Sequence, residues 1–314
     1  MPADLQPLLA VCVFAMMLCI GLDFSLAHWR ALMRAPRPLW LGILAQNLVV
    51  PLLGFAIAWL FRSTPEIALG IVLIVAAPGG PVANAIVQLA RARVDVSVSL
   101  RALNGVLSLF TVPLIVNFGF ALVAGDQVDL RLPVEPSLRH IGLLILLPIC
   151  LGLLVQRWSL ASRLLWLARH GALVSLLLVL ALVFYGNAER IAAAWDRMLP
   201  AAMLLCAALL LVSRGFVRFF GGDRDIAFAI ANEVSVHNVP LAILFAEGRL
   251  QRPELAGFIA VYAPVIAIFA LGWALVHRRR CSESPPEHRC AASRRSAPRG
   301  SASCTSATLR SCAR

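Results

Sequence analysis

The sequence has 314 residues, of which 60% are hydrophobic and only 14% charged, with a formal net charge of +12 and no lysine. Water-soluble domains carry about 25% charged residues, so this composition excludes an ordinary soluble domain and makes lipid the expected solvent. The positive charge does not call for a nucleic-acid partner. Nine of the 28 arginines follow His277, opposed there only by Glu283 and Glu287, so the tail carries +7 and the remainder +5.

Nine apolar stretches of spanning length follow in chain order: Leu8–Leu26, Leu39–Phe61, Ile67–Leu89, Val94–Leu122, Leu138–Val155, Leu165–Gly186, Leu199–Phe219, Ile226–Phe245 and Leu255–His277. Each is about the length needed to cross ~30 Å of hydrocarbon at ~1.5 Å per residue. The first lacks a basic leader and an A-x-A site, and is expected to be a mature helix. An all-α polytopic protein is predicted, with a transmembrane domain over 1–277 and a disordered, basic cytoplasmic tail over 278–314.

Loop arginines set the expected orientation. One side holds Arg30, Arg34, Arg37, Arg91, Arg93, Arg157, Arg163, Arg169, Arg214, Arg218 and Arg224; the other holds Arg62, Arg131, Arg139, Arg190, Arg197, Arg249 and Arg252. The richer side is cytoplasmic by the positive-inside rule. This puts the N-terminus outside and the C-terminus in the cytoplasm, in a bacterial inner membrane. Cys12, Cys19, Cys150 and Cys206 lie within apolar stretches, where cysteine acts as a small hydrophobe. The tail cysteines have no metal-ligand spacing.

Two spans are interrupted. The third contains Ala77-Pro78-Gly79-Gly80-Pro81-Val82-Ala83-Asn84. Its prolines remove backbone donors and its glycines favour an unwound turn, while Pro81 suits the first position of a second half-helix. The eighth contains Asn232-Glu233-Val234-Ser235-Val236-His237-Asn238-Val239-Pro240, in which Glu233 and His237 stand four apart, as on one helical face. Non-helical backbone at membrane depth requires a cavity or a protein wall. The breaks lie five spans apart, an odd offset, so the two helices run oppositely, the pattern of an inverted-repeat transporter whose site forms where broken helices meet.

On the fourth span, Ser97, Arg101, Asn104 and Ser108 are spaced +4, +3 and +4 and share a sector of about 60°. Lipid does not tolerate this stripe, so it is expected to face inward. Glu233 is the one acid near the middle of any stretch, and an Arg101–Glu233 ion pair is predicted. Gln46 and Asn47 supply amides at mid-depth before Pro51.

Leu41–Pro51, Pro65–Arg93 and the Asn232–Asn238 run resemble the bile acid:sodium symporter family, and the resemblance extends over about residues 8–277. It implies two inverted repeats with broken helices crossing in a core domain. The first family helix is missing from the pattern, leaving four helices plus five. It also implies sodium-coupled carriage of a small organic anion such as a bile acid or pantothenate. Carried over by position, Gly79, Gly80, Pro81, Asn84 and Asn238 would lie near substrate. Asn84, Ser97 and Glu233 match one sodium site; Gln46, Glu233 and the carbonyls of Val234 and Val236 match a second. Three positions depart. Ala83 stands in place of a serine ligand, Arg101 in place of a threonine ligand, and His237 in place of a glutamine. Weakened or altered sodium coupling is therefore expected, with the residual site at Gln46 and Glu233. The alternatives are titration of Glu233 and His237 to couple protons, an uncoupled carrier, or a non-transporting sensor or scaffold. No cofactor other than a sodium ion is expected. Arsenite exporters use a cysteine near the first break, and none occurs between Gln46 and Leu122. An enzyme is not expected, since His28, His140, His170 and His277 form no catalytic cluster.

Overall fold

A computed structural model of the chain describes residues 5–23, 36–124, 142–155 and 184–282, with isolated positions between them. Apart from turns and one isolated β-bridge, the described residues are helical. Most of the predicted span 165–186, the loop near Asp126–Glu135, and residues 283–314 lie outside them.

Helix α1 runs Leu5–Asp23 and α2 runs Arg37–Leu60, the latter containing a π-helical segment at Ala45–Val49. The third span is two helices, α3 (Pro65–Ala76) and α4 (Pro81–Leu89). Helices α5 (Val94–Ala124), α6 (Gly142–Val155), α7 (Ala188–Ala193) and α8 (Trp195–Phe219) follow. The eighth span is also divided, into α9 (Arg224–Ser235) and α10 (Val239–Leu244), the latter continuing into a π-helical segment at Phe245–Arg249. Helix α11 (Pro253–Ser282) extends five residues past the boundary drawn at His277, so Arg278–Ser282 belong to a helix and not to an irregular tail. Its arginines are good helix formers and carry the helix onward.

Stretches within α2, α5, α8 and α11 are long and apolar enough to cross a membrane, with α3 and α6 as shorter apolar helices. Helix α5 shows how lipid inverts the usual pattern. Phe110, Leu114 and Phe118 are 67%, 71% and 60% exposed on one face, whereas Ser97, Arg101, Asn104 and Ser108 are at most 5% exposed. Its apolar face is turned outward and its polar face inward.

The core is built around α3, α9 and α11. Ile67, Ile71, Ile74, Phe228, Ile230, Phe258 and Tyr262 are completely buried there. Helix α9 packs on α4, α5 and α8, and α11 packs on α3, α4 and α8. The interrupted spans therefore sit in the most enclosed part of the molecule, where their loose backbone can be satisfied by protein.

Candidate functional site: the crossing of two broken helices

Each break follows from its own residues. Helix α3 ends at Ala77, in extended backbone ahead of Pro78, because a residue before proline is disfavoured in the α region. Helix α4 then begins at Pro81 with Gly80 as its extended N-cap. Helix α9 stops at Val236, and α10 starts after Asn238, whose side-chain oxygen accepts from the Leu241 N–H at 3.2 Å. Pro240 thus belongs to the first turn of a new helix and does not kink an old one.

The breaks pass one another in antiparallel sense. The Gly80 N–H donates to the Val236 carbonyl at 2.7 Å, and the Asn238 N–H donates to the Pro78 carbonyl at 2.8 Å, forming a bridge between Gly79 and His237. Donors freed by unwinding one helix are thereby met by carbonyls freed in the other. The glycines make this approach feasible. A Cβ at Gly79 would collide with the Glu233 carboxylate and main chain, and one at Gly80 would lie 2.6 Å from the His237 carbonyl oxygen.

Glu233 is 1% exposed, and Arg101 from α5 reaches it in a bidentate pair. Arg101 Nε donates to Oε1 at 2.9 Å and Nη2 to Oε2 at 2.8 Å, while Ser97 Oγ donates to Oε2. A carboxylate has about four lone-pair positions. Three are engaged here, and the open one is on Oε1, the oxygen beside Gly79. A buried ion pair of this kind is tolerated because its geometry and extra hydrogen bonds offset the desolvation of both charges.

The reading of Glu233 and His237 as one helical face is corrected, because α9 ends between them. The His237 ring turns away to Tyr262 on α11, with Nδ1 3.1 Å from the phenol oxygen. Tyr262 gives its single O–H to the Ser235 carbonyl at 2.5 Å, so it faces His237 with a lone pair. Nδ1 is therefore the donor in this contact, and Nε2, an acceptor in the neutral form of the ring, has no partner among the described residues.

Gln46, inside the π segment of α2, donates through Nε2 to the Ala77 carbonyl at 3.3 Å, closing the exposed end of α3. That bond fixes the amide so that Oε1 remains unpartnered. Asn232 donates through Nδ2 to the Ala83 carbonyl at 2.9 Å, and its Oδ1 is likewise unpartnered, as is Oδ1 of the half-buried Asn84. The Val236 carbonyl accepts from Gly80, and Val234 is fully buried. Asn238 caps α10, so its oxygen is already engaged. The crossing thus gathers Gly79, Gly80, Glu233, Ser97, Arg101, Gln46 and His237, with Asn84 at its margin. Sequence reasoning missed Tyr262 and Asn232. Tyr262 is one of only two tyrosines in the chain, and a phenol inside an apolar span needs a hydrogen-bond partner, which was the available signal.

These features define an integral, multi-pass helical membrane protein with two interrupted segments crossing at a buried ion pair. The model of the sodium bile acid symporter family matches residues 10–194, and the chain belongs to that family. It is 27% identical to a probable sodium/metabolite cotransporter of the chloroplast of Oryza sativa subsp. japonica, over 84% of this chain and 62% of that protein. It is 30% identical to the uncharacterized sodium-dependent transporter YocS of Bacillus subtilis (strain 168), over 44% of this chain and 41% of the relative. It is 29% identical to the human P3 protein, over 48% and 31% respectively. The chain therefore spans less than two thirds of the length of each of these relatives.

Proposed function

We propose that the protein is a secondary transporter that moves a small organic carboxylate across the bacterial inner membrane by alternating access, with sodium coupling altered at one of two ion positions. The observation that carries this reading is the bidentate Arg101–Glu233 pair within the crossing. Its guanidinium lies where the family pattern expects a hydroxyl ligand to a mobile cation. A fixed cation would neutralise Glu233 permanently there, while the matched 12-residue lengths of α3 and α9 support two inverted repeats.

A second cation position is retained in this reading. Gln46 Oε1, Asn84 Oδ1, Asn232 Oδ1 and His237 Nε2 are buried acceptors without donors, and Glu233 Oε1 has an open lone-pair position. Acceptors lacking donors suit a cation or water and not an anion. Gln46, Glu233 and the carbonyls of Val234 and Val236 would supply oxygen ligands to one sodium ion. The substrate would lie against Gly79, Gly80, Pro81 and Asn84.

Uptake into proteoliposomes with and without an inward sodium gradient tests the proposal. Sodium-stimulated uptake with a stoichiometry of about one ion per substrate is expected. A strict requirement for two ions would remove the role given to Arg101, and absence of substrate counterflow would remove transport itself.

A further inference from the structure

Helix α4, the second half of the first broken span, ends in a turn with an unexpected residue. The Ala92 N–H donates to the Val87 carbonyl at 3.1 Å, and the Arg91 N–H donates to the Gln88 carbonyl at 3.0 Å. The left-handed residue of such a helix-ending turn is usually glycine. Here it is Arg91, with φ of 56°. A branched side chain in that region carries a backbone cost, which directs attention to what the side chain does there.

Arg91 lines a cavity of about 360 Å³ together with Ala85, Gln88, Leu89 and, from α11, Arg278. Ala85, Gln88, Arg91 and Arg278 are all exposed, so the cavity is open to its surroundings. Two guanidinium groups thus share one cavity with no acid in its lining. Their neighbours in the chain are matched: Arg93 pairs with Asp95 at 2.6 Å, and His277 lies 3.0 Å from Asp225. Arg91 and Arg278 have no acidic partner among the described residues.

An apolar track leads to the same place. On α11, Ile268, Leu271 and Leu275 are 69%, 44% and 46% exposed. With Arg278 they are spaced +3, +4 and +3 and fall within a sector of about 80° at ~100° per residue. Beside them, a Cβ at Gly272 would meet nothing within 4 Å. The face of α11 that suits hydrocarbon therefore ends at the cavity that suits an anion. By the arginine count, this is the end expected to be cytoplasmic.

We infer that Arg91 and Arg278 bind the phosphate of an anionic phospholipid, with an acyl chain lying along Ile268, Leu271 and Leu275. Basic pockets between transmembrane helices on the cytoplasmic side suit such head groups. A guanidinium can give two parallel hydrogen bonds to phosphate oxygens, and Gln88 adds an amide at the rim. The bound lipid ties the end of α4, which begins at the crossing, to α11. The inference stands apart from the carrier reading and needs no transported substrate.

The test measures thermal unfolding of the purified full chain in an uncharged detergent. Phosphatidylglycerol, phosphatidylcholine and glycerol 3-phosphate are added in turn. Phosphatidylglycerol is expected to raise the midpoint saturably, and the other two are not. Arg91→Gly should be at least as stable without lipid, because glycine suits the left-handed position. It should nevertheless need about fivefold more phosphatidylglycerol for the half-maximal rise, the effect of one arginine at an anionic lipid surface. Arg278→Gln should weaken the response to a similar extent, and Arg224→Gln, which removes a charge outside the cavity, should not. An equal rise with phosphatidylcholine would remove the role of the phosphate charge. An equal rise with glycerol 3-phosphate would replace the lipid by a soluble phosphate. An unchanged response in Arg91→Gly and Arg278→Gln, or an equal loss in Arg224→Gln, would overturn the site itself.

Discussion

Arg101 and Glu233 face each other with two parallel hydrogen bonds, 2.9 and 2.8 Å long, and both side chains are almost wholly out of contact with solvent. Neither charge has an inexpensive way to remain without the other. This makes the pair the natural subject of a double-mutant comparison.

Glu233→Gln or Arg101→Gln alone is expected to destabilise the protein by about 3–5 kcal/mol, the usual effect of leaving one buried charge unpaired. The double substitution should recover most of that loss, because two neutral amides can bond to each other. Thermal unfolding of purified protein reads the outcome. Additive losses would mean that the two groups do not depend on one another.

Arg101→Thr removes the tethered cation and returns a hydroxyl beside Ser97 and Glu233. Sodium is expected to stabilise this variant markedly more than it stabilises the unsubstituted protein, by about 2.7 kcal/mol at a hundred times the dissociation constant of the new site. Choline at equal ionic strength should not do so. Midpoints measured in the two salts decide the matter; indifference of the variant to sodium would argue that Arg101 does not stand in for an ion.

Gly79→Ala and Gly80→Ala insert a methyl group where the two backbones already touch. Overpacking of this kind costs about 1–3 kcal/mol. Because it falls on the bridge between the broken helices, transport should fail before folding does. Quantified membrane expression alongside uptake rates checks this; full uptake in either variant would mean that the crossing tolerates a wider gap.

Tyr262→Phe leaves the Ser235 carbonyl and His237 Nδ1 without their shared partner. A loss of about 1–3 kcal/mol is expected from the stranded polar groups. His237→Phe in the same background should add little, because the ring has already lost its contact. Thermal unfolding of the single and double variants reads the coupling.

Much of this site was legible in the residues. Pro78, Gly79, Gly80 and Pro81 can hardly be read as continuous helix, and a buried arginine needs an acid, of which the middles of the spans offered only Glu233. Local rules failed where partners came from afar. The Glu233–His237 spacing suggests adjacency only if the helix continues, yet the same segment ends it at Ser235. Tyr262, which holds His237, lies 25 residues away on another helix. The π segment that aims Gln46 and Asn47 has no sequence signature comparable to a proline, so the direction of those amides is set by the folded backbone and not by a local motif.

The tether on Arg101 has an energetic corollary. A sodium ion that rides with its cargo is released on the far side and contributes its own electrochemical gradient, including about 2.3 kcal/mol per 100 mV for each charge moved. A guanidinium bound to α5 never leaves. With one carboxylate and one mobile ion crossing together, the cycle would carry no net current, and accumulation would follow the concentration ratio of that ion while ignoring the membrane voltage.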